Sequence, residues 1–164
     1  MKDIAFSVVD CKAIYARAVQ RGAKGVKAPW EEKDEHGMVT LAIVQTYGDT
    51  THTFVERTAY PLSADHFLPG YTKSTVKDPL NNILPPVGLM YLDHCVGNQP
   101  DDDMTPVADW YTKVMGFHRF WSVDDTQMHT EYSALRWVGW GGRCRWVLTL
   151  LTASPTTQQL HCND

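Results

Sequence analysis

Cys11-Lys-Ala-Ile-Tyr-Ala-Arg-Ala-Val-Gln-Arg-Gly22 and Val107-Ala-Asp-Trp-Tyr-Thr-Lys-Val-Met-Gly116 carry one pattern twice, and that repetition decides the fold. In the first, Cys11, Ile14, Tyr15, Ala18 and Val19 fall at i, i+3, i+4, i+7 and i+8, one stripe of a helix packed on a sheet. In the second, Val107, Trp110, Tyr111, Val114 and Met115 recreate the stripe. Gly22 and Gly116 supply the stops, because glycine accepts the left-handed backbone that ends helices.

The flanks repeat as well. Ile4 to Val9 reads as an apolar-rich strand with Asp10 as the helix N-cap. Val87 to Val96 reads as the matching strand, with Thr105 as N-cap and Pro106 at the first helical position. Beyond the first helix a charged stretch, Glu31 to Glu35, leads through a His36-Gly37 turn into the β-branched run Met38 to Thr46. Tyr47-Gly48-Asp49 is a turn, and Thr51 to Glu56 completes a hairpin. Beyond the second helix come a strand from Phe117 to Val123, a turn at Asp124-Asp125 and a further strand from Tyr132. The fold expected is α+β, a duplicated strand-helix-strands unit.

Between the copies, residues 58–86 lose all periodicity and hold Pro61, Pro69, Gly70, Pro79, Pro85 and Pro86, so they read as a connector. The expected organisation is therefore a first module over 1–57, the connector over 58–86, a second module over 87–136, and a tail over 137–164. The tail holds three of the six tryptophans and two of the four cysteines, and shows no clear alternation.

Bulk properties narrow the function classes. The 164 residues, 43% hydrophobic, suit one ordinary domain or two small ones. Net charge is −4 with scattered Lys and Arg, so neither nucleic acid nor an anionic membrane is an expected partner. The run Trp146 to Leu151 is too short to cross a bilayer. Met1-Lys2-Asp3-Ile4 has no signal-peptide pattern, and Cys11, Cys95, Cys144 and Cys162 form no C-x-x-C pair. A reducing cytoplasm is the expected compartment.

Several strings are similar to those of animal 4-hydroxyphenylpyruvate dioxygenases: Gln45-Thr-Tyr-Gly-Asp-Thr-Thr-His-Thr53, Asp93-His-Cys-Val-Gly-Asn-Gln-Pro100 and Phe117-His-Arg-Phe-Trp-Ser-Val-Asp-Asp-Thr-Gln127. Phe67-Leu-Pro-Gly-Tyr71 and His129-Thr-Glu-Tyr-Ser133 also fit. The resemblance runs from residue 2 to about residue 136 and stops at Trp137. That family belongs to the vicinal-oxygen-chelate, glyoxalase-like group, built from paired βαβββ modules. The resemblance implies the second module of an N-terminal domain, then the start of the catalytic domain, with both barrels incomplete.

The resemblance further implies a non-haem Fe(II) enzyme of tyrosine and phenylalanine catabolism, converting 4-hydroxyphenylpyruvate and O₂ into homogentisate and CO₂, and a homodimer as family members are. Two histidines and one carboxylate hold the iron in that family, leaving three positions for a bidentate 2-oxo acid and oxygen. His94 matches the first of these histidines. By strand alternation it shares a face with Met90, Leu92 and Val96, pointing to an interior, while Cys95 faces away. From spacing alone, a histidine on an apolar face is more often a satisfied core residue than a ligand; the resemblance reverses that weighting for ancestry. The second histidine and the carboxylate have no match.

Three departures matter. Asp3 stands where the catalytic copy carries its second histidine, so a structural role is expected for it. Trp137 replaces a pocket-lining serine. With one ligand of three, the isolated chain is expected to be inactive, and the alternative is a non-catalytic binding or interaction module. His52, His118 and His129 match no family ligand and are expected to be structural, and Asp101-Asp102-Asp103 is expected to cap the second helix and complement its dipole.

Overall fold

The structure is a computed structural model, describing residues 2–60, 66–90, 92–100, 103–123, 133–141 and 147–155. The expected turn at Asp124-Asp125, the strand onset at Tyr132, and Asp101, Asp102, His129, Cys144 and Cys162 lie outside these residues. The chain divides into two compact units, 1–91 and 92–164.

Unit 1 runs β1 (Asp3–Val8), α1 (Cys11–Gln20), β2 (Lys24–Asp34), β3 (Gly37–Gln45) and β4 (Thr51–Glu56). Its sheet has the order β1-β4-β3-β2, with β1 parallel to β4 and the other pairs antiparallel. α1 begins where expected: the Asp10 carboxylate accepts a bond from the Ala13 amide at 2.8 Å, satisfying one of the donors a helix start leaves open. It ends at Gly22, whose φ of 104° suits glycine. Of the stripe, Cys11 and Ala18 are buried and Ile14 and Tyr15 half-buried, whereas Val19 is exposed. α1 packs across β2, β3 and β4.

β2 is longer than its sequence announces, because the charged Glu31 to Glu35 stretch belongs largely to it. It is an edge strand with bulges between Gly25 and Trp30, and edges tolerate charge on both faces. Both faces of β3 are buried. Ala42 and Val44 lie level with Phe54 and His52 of β4, while Val39 and Leu41 join Val55 and Tyr60 in a cluster flanked by Trp30 and Leu68. The first part of the expected connector therefore packs on unit 1. Arg57 Nη2 donates to the Phe67 carbonyl at 2.7 Å, and the Tyr60 hydroxyl donates to Asp34 at 2.8 Å. Further on, a short 3-10 turn at Pro79–Asn82 is capped by Asp78, and the surrounding chain is exposed.

Unit 2 repeats the plan with β5 (His94–Asn98), α2 (Met104–Trp110), β6 (His118–Val123), β7 (Ser133–Gly141) and β8 (Val147–Pro155). The order β5-β8-β7-β6, with β5 parallel to β8, reproduces unit 1 strand for strand. The expected α+β repeat is thus present, one βαβββ module in each unit. Three details correct the expectation. β5 starts at His94 and not at Val87: among the described residues its ladder with β8 opens at His94↔Val147, and the apolar residues Val87 to Met90 belong to no strand. α2 starts at Met104 with Asp103 in the N-cap position and no side-chain cap bond, so Thr105 and Pro106 lie within the first turn, where proline is tolerated. Finally, the helix widens into a π turn at Tyr111–Met115, closed by Gly116 at φ 72°. The tail beyond Trp137, to which the sequence assigned no element, continues β7 and forms β8.

Candidate metal site

His94 opens β5, where it pairs with Val147. Its ring Nδ1 lies 2.7 Å from an oxygen of Asp93, the preceding residue. The pair is solvent-facing, with 49% of the His94 side chain and 74% of that of Asp93 accessible. This corrects the expectation of an interior face: Met90, Leu92 and Val96 are exposed with it, Met90 at 87%. The buried side of β5 is the other one, where Cys95 is half-buried and Gly97 buried. Cys95 therefore faces away from His94, as alternation requires.

A carboxylate bonded to one imidazole nitrogen fixes the ring and leaves the other nitrogen, Nε2, as the ligating atom. That arrangement suits one metal ligand. A ferrous centre needs more, and among the described residues no group of three His, Cys, Asp or Glu side chains is placed to hold a metal ion. At the register position beside His94 the sequence has Val147, and beside Val96 it has Thr149, neither of them an imidazole or carboxylate. The described residues do not fit a complete Fe(II) site.

The equivalent position in unit 1 is Asp3, first residue of β1, paired with Thr51 as His94 is with Val147. Its carboxylate accepts bonds from the hydroxyls of Thr51, at 2.5 Å, and Thr53, at 3.0 Å. Those bonds tie β1 to β4, in keeping with the structural role expected. His52 is fully buried, with Nδ1 3.0 Å from the Ile4 carbonyl and its ring 4.9 Å from that of Phe6. Burial pushes its pKa below the ordinary 6.5. His118 is exposed on β6. Asp103 makes no side-chain cap bond, so the capping role expected of the aspartate run is absent from its one described member. The Cys11 thiol is pushed up to about 11, first by burial and then by Glu56 and Asp10, which makes it a poor nucleophile.

Sequence reasoning missed Asp93 as the partner of His94, although their adjacency was a signal. It also missed the tilted contact of the His36 and His66 imidazoles, 3.6 Å between centroids, which brings a hairpin turn against residues far along the chain and left no local trace.

The architecture is matched by solved structures. A mutant of 4-hydroxymandelate synthase from Streptomyces coelicolor superposes with a TM-score of 0.69 over 96% of this chain and 43% of its own, at 19% identity. A xylose isomerase-like TIM barrel/4-hydroxyphenylpyruvate dioxygenase fusion protein gives 0.55 over 92% of this chain and 20% of its own, at 15% identity. At such identities the fold alone is shared, and it is the vicinal-oxygen-chelate fold.

Sequence goes further. Named 4-hydroxyphenylpyruvate dioxygenases are 55% identical in Tetrahymena thermophila and 57% in Danio rerio, each over 136 residues, and 57% in Dictyostelium discoideum over 137. Each alignment takes in 83% of this chain, so the similarity extends well beyond animals. Over these residues the chain is similar to 4-hydroxyphenylpyruvate dioxygenases. It spans about a third of the length of these relatives, 33% to 36%. No family model matches it.

Proposed function

We propose that the chain descends from an Fe(II)-dependent dioxygenase of tyrosine catabolism, converting 4-hydroxyphenylpyruvate and O₂ into homogentisate and CO₂, and that His94 is the one iron ligand it carries. The observation that carries this reading is His94 itself: a family-matched imidazole, exposed and bonded through Nδ1 to Asp93. In this reading iron supplies the activation of oxygen and a 2-oxo acid when a full ligand set holds it. The chain's own contribution is to position one imidazole, and one imidazole binds ferrous ion weakly. The 164-residue chain is accordingly inactive by itself. The substrates proposed for the lineage are the 2-oxo acid and O₂, the partner a second subunit as in family members, and the compartment the cytoplasm; no described helix is long and apolar enough to cross a membrane.

The test is to incubate the purified chain anaerobically with Fe(II), desalt it, and measure iron per chain and homogentisate formed with substrate and air. Iron well below one per chain and no homogentisate are expected. One tightly held iron per chain with turnover defeats the reading. A second reading, a non-catalytic module of the same fold, is favoured by Asp3, whose carboxylate is engaged by two threonines where a ligand could stand. The transcript across the codon for Trp137 separates the two: an alternative frame that continues the family pattern and supplies a histidine and a glutamate favours the enzyme.

A further inference from the structure

Unit 2 takes its fourth strand from sequence outside every string shared with the relatives. β8 lies between β5 and β7, parallel to the first from His94↔Val147 to Asn98↔Leu151, antiparallel to the second from Ser133↔Pro155 to Gly141↔Val147. It is the ladder partner of β5, and α2 packs against it. In unit 1 the same place is held by β4, which begins within a family-matched string. Two segments unrelated in sequence thus occupy one topological position.

Strand addition explains how this is possible. Ladder hydrogen bonds are made by the main chain, so affinity is largely indifferent to sequence, while alternate side chains need only be compatible with the faces they meet. Val147-Leu-Thr-Leu-Leu-Thr-Ala-Ser-Pro155 meets that demand: it is uncharged, aliphatic and rich in β-branched residues, and its proline falls at the end of the ladder, where a missing amide does least harm.

We propose that the space between β5 and β7 is a strand-acceptor groove for an extended, uncharged aliphatic peptide, filled in this chain by its own residues 147–155. The groove aligns the incoming strand parallel to β5, beside His94, and completes the sheet on which α2 rests. The inference does not rest on the iron reading, since it concerns only backbone pairing.

Two experiments test it. In the full chain, Leu148→Cys and Thr149→Cys are oxidised mildly and mapped by mass spectrometry. Leu148 is the register partner of Cys95, and strands paired directly lie within disulfide reach, whereas Thr149 is the register partner of Val96. A Cys95 disulfide is expected with Leu148→Cys and little with Thr149→Cys; equal linkage, or none, overturns the proposal. In the second, a chain ending at Gly141 is compared with and without a synthetic peptide of residues 147–155, following exchange of the His94–Asn98 amides, with unit 1 amides as the folding control. Truncation is expected to abolish their protection, the peptide to restore it, and a peptide with lysine in place of Leu148 and Leu150 to fail. Protection without any peptide, or none at saturating peptide, overturns it. Should the truncated chain not fold at all, the cysteine mapping in the full chain still decides.

Discussion

Units 1 and 2 share a strand order and differ in what they place at its first position. In unit 1, Asp3 is tied across to β4 by two threonine hydroxyls; in unit 2, among the described residues, His94 is tied to its neighbour Asp93 and faces solvent. One fold therefore presents a carboxylate bonded across the sheet in one copy and an imidazole bonded to its own sequence neighbour in the other. Topology does not settle chemistry; the residue types at a few register positions do.

The largest effects that sharpen the comparison lie in the cores. Phe54 of β4 and Tyr111 at the end of α2 are almost fully buried, one in the sheet of unit 1 and one on the helix of unit 2. Replacing either by alanine removes a large ring from a packed interior, a loss of about 3–5 kcal/mol. Amide exchange read unit by unit should show Phe54→Ala weakening β1, β3 and β4, and Tyr111→Ala weakening β5 and β8. A loss below about 1 kcal/mol for Phe54→Ala would break the assignment of β4 as the centre of unit 1.

A smaller effect depends on pH. Burial holds His52 below its ordinary pKa, so the folded unit keeps it neutral where the unfolded chain takes a proton. Stability of unit 1 is therefore unaffected by His52 above about pH 6.5 and falls as the pH drops through 6.5, until the folded imidazole itself protonates. His52→Asn keeps a polar group near the Nδ1 position and should flatten this part of the dependence. Urea midpoints for both proteins at pH 7.5 and 5.5 check it: an equal acid loss in the two removes His52 as its source.

Legibility followed the range of the interactions. α1 was readable because Asp10, the stripe and Gly22 are local signals that agree. β2 was not, since Lys24 to Asp34 lacks period-2 alternation and exists through pairing with β3. Val87 to Met90 reads as strand by composition, yet it belongs to no strand among the described residues. In the second helix the stripe's Tyr111 and Val114 are buried, while Val107, Trp110 and Met115 are half-buried and Ala108, outside the stripe, is buried. His94 was found through its resemblance string, but its exposure was not legible from strand alternation, which placed it on an interior face.

The smallest contrast is between the two helix starts. Asp10 accepts a bond from the Ala13 amide, whereas Asp103 makes none with its side chain. Asp10→Ala removes a hydrogen bond to a backbone donor that has no helical partner, a loss of about 1 kcal/mol. Asp103→Ala removes only the interaction of a charge with the helix dipole, at most about 0.5 kcal/mol at an exposed site and less in salt. Unfolding midpoints at 20 and 500 mM NaCl separate the mechanisms. The Asp10 loss should persist in salt, because a directional bond is screened little, and the Asp103 loss should fade. Were both to fade together, Asp10 would be acting as a charge as well, and the two modules would start their helices by the same physics after all.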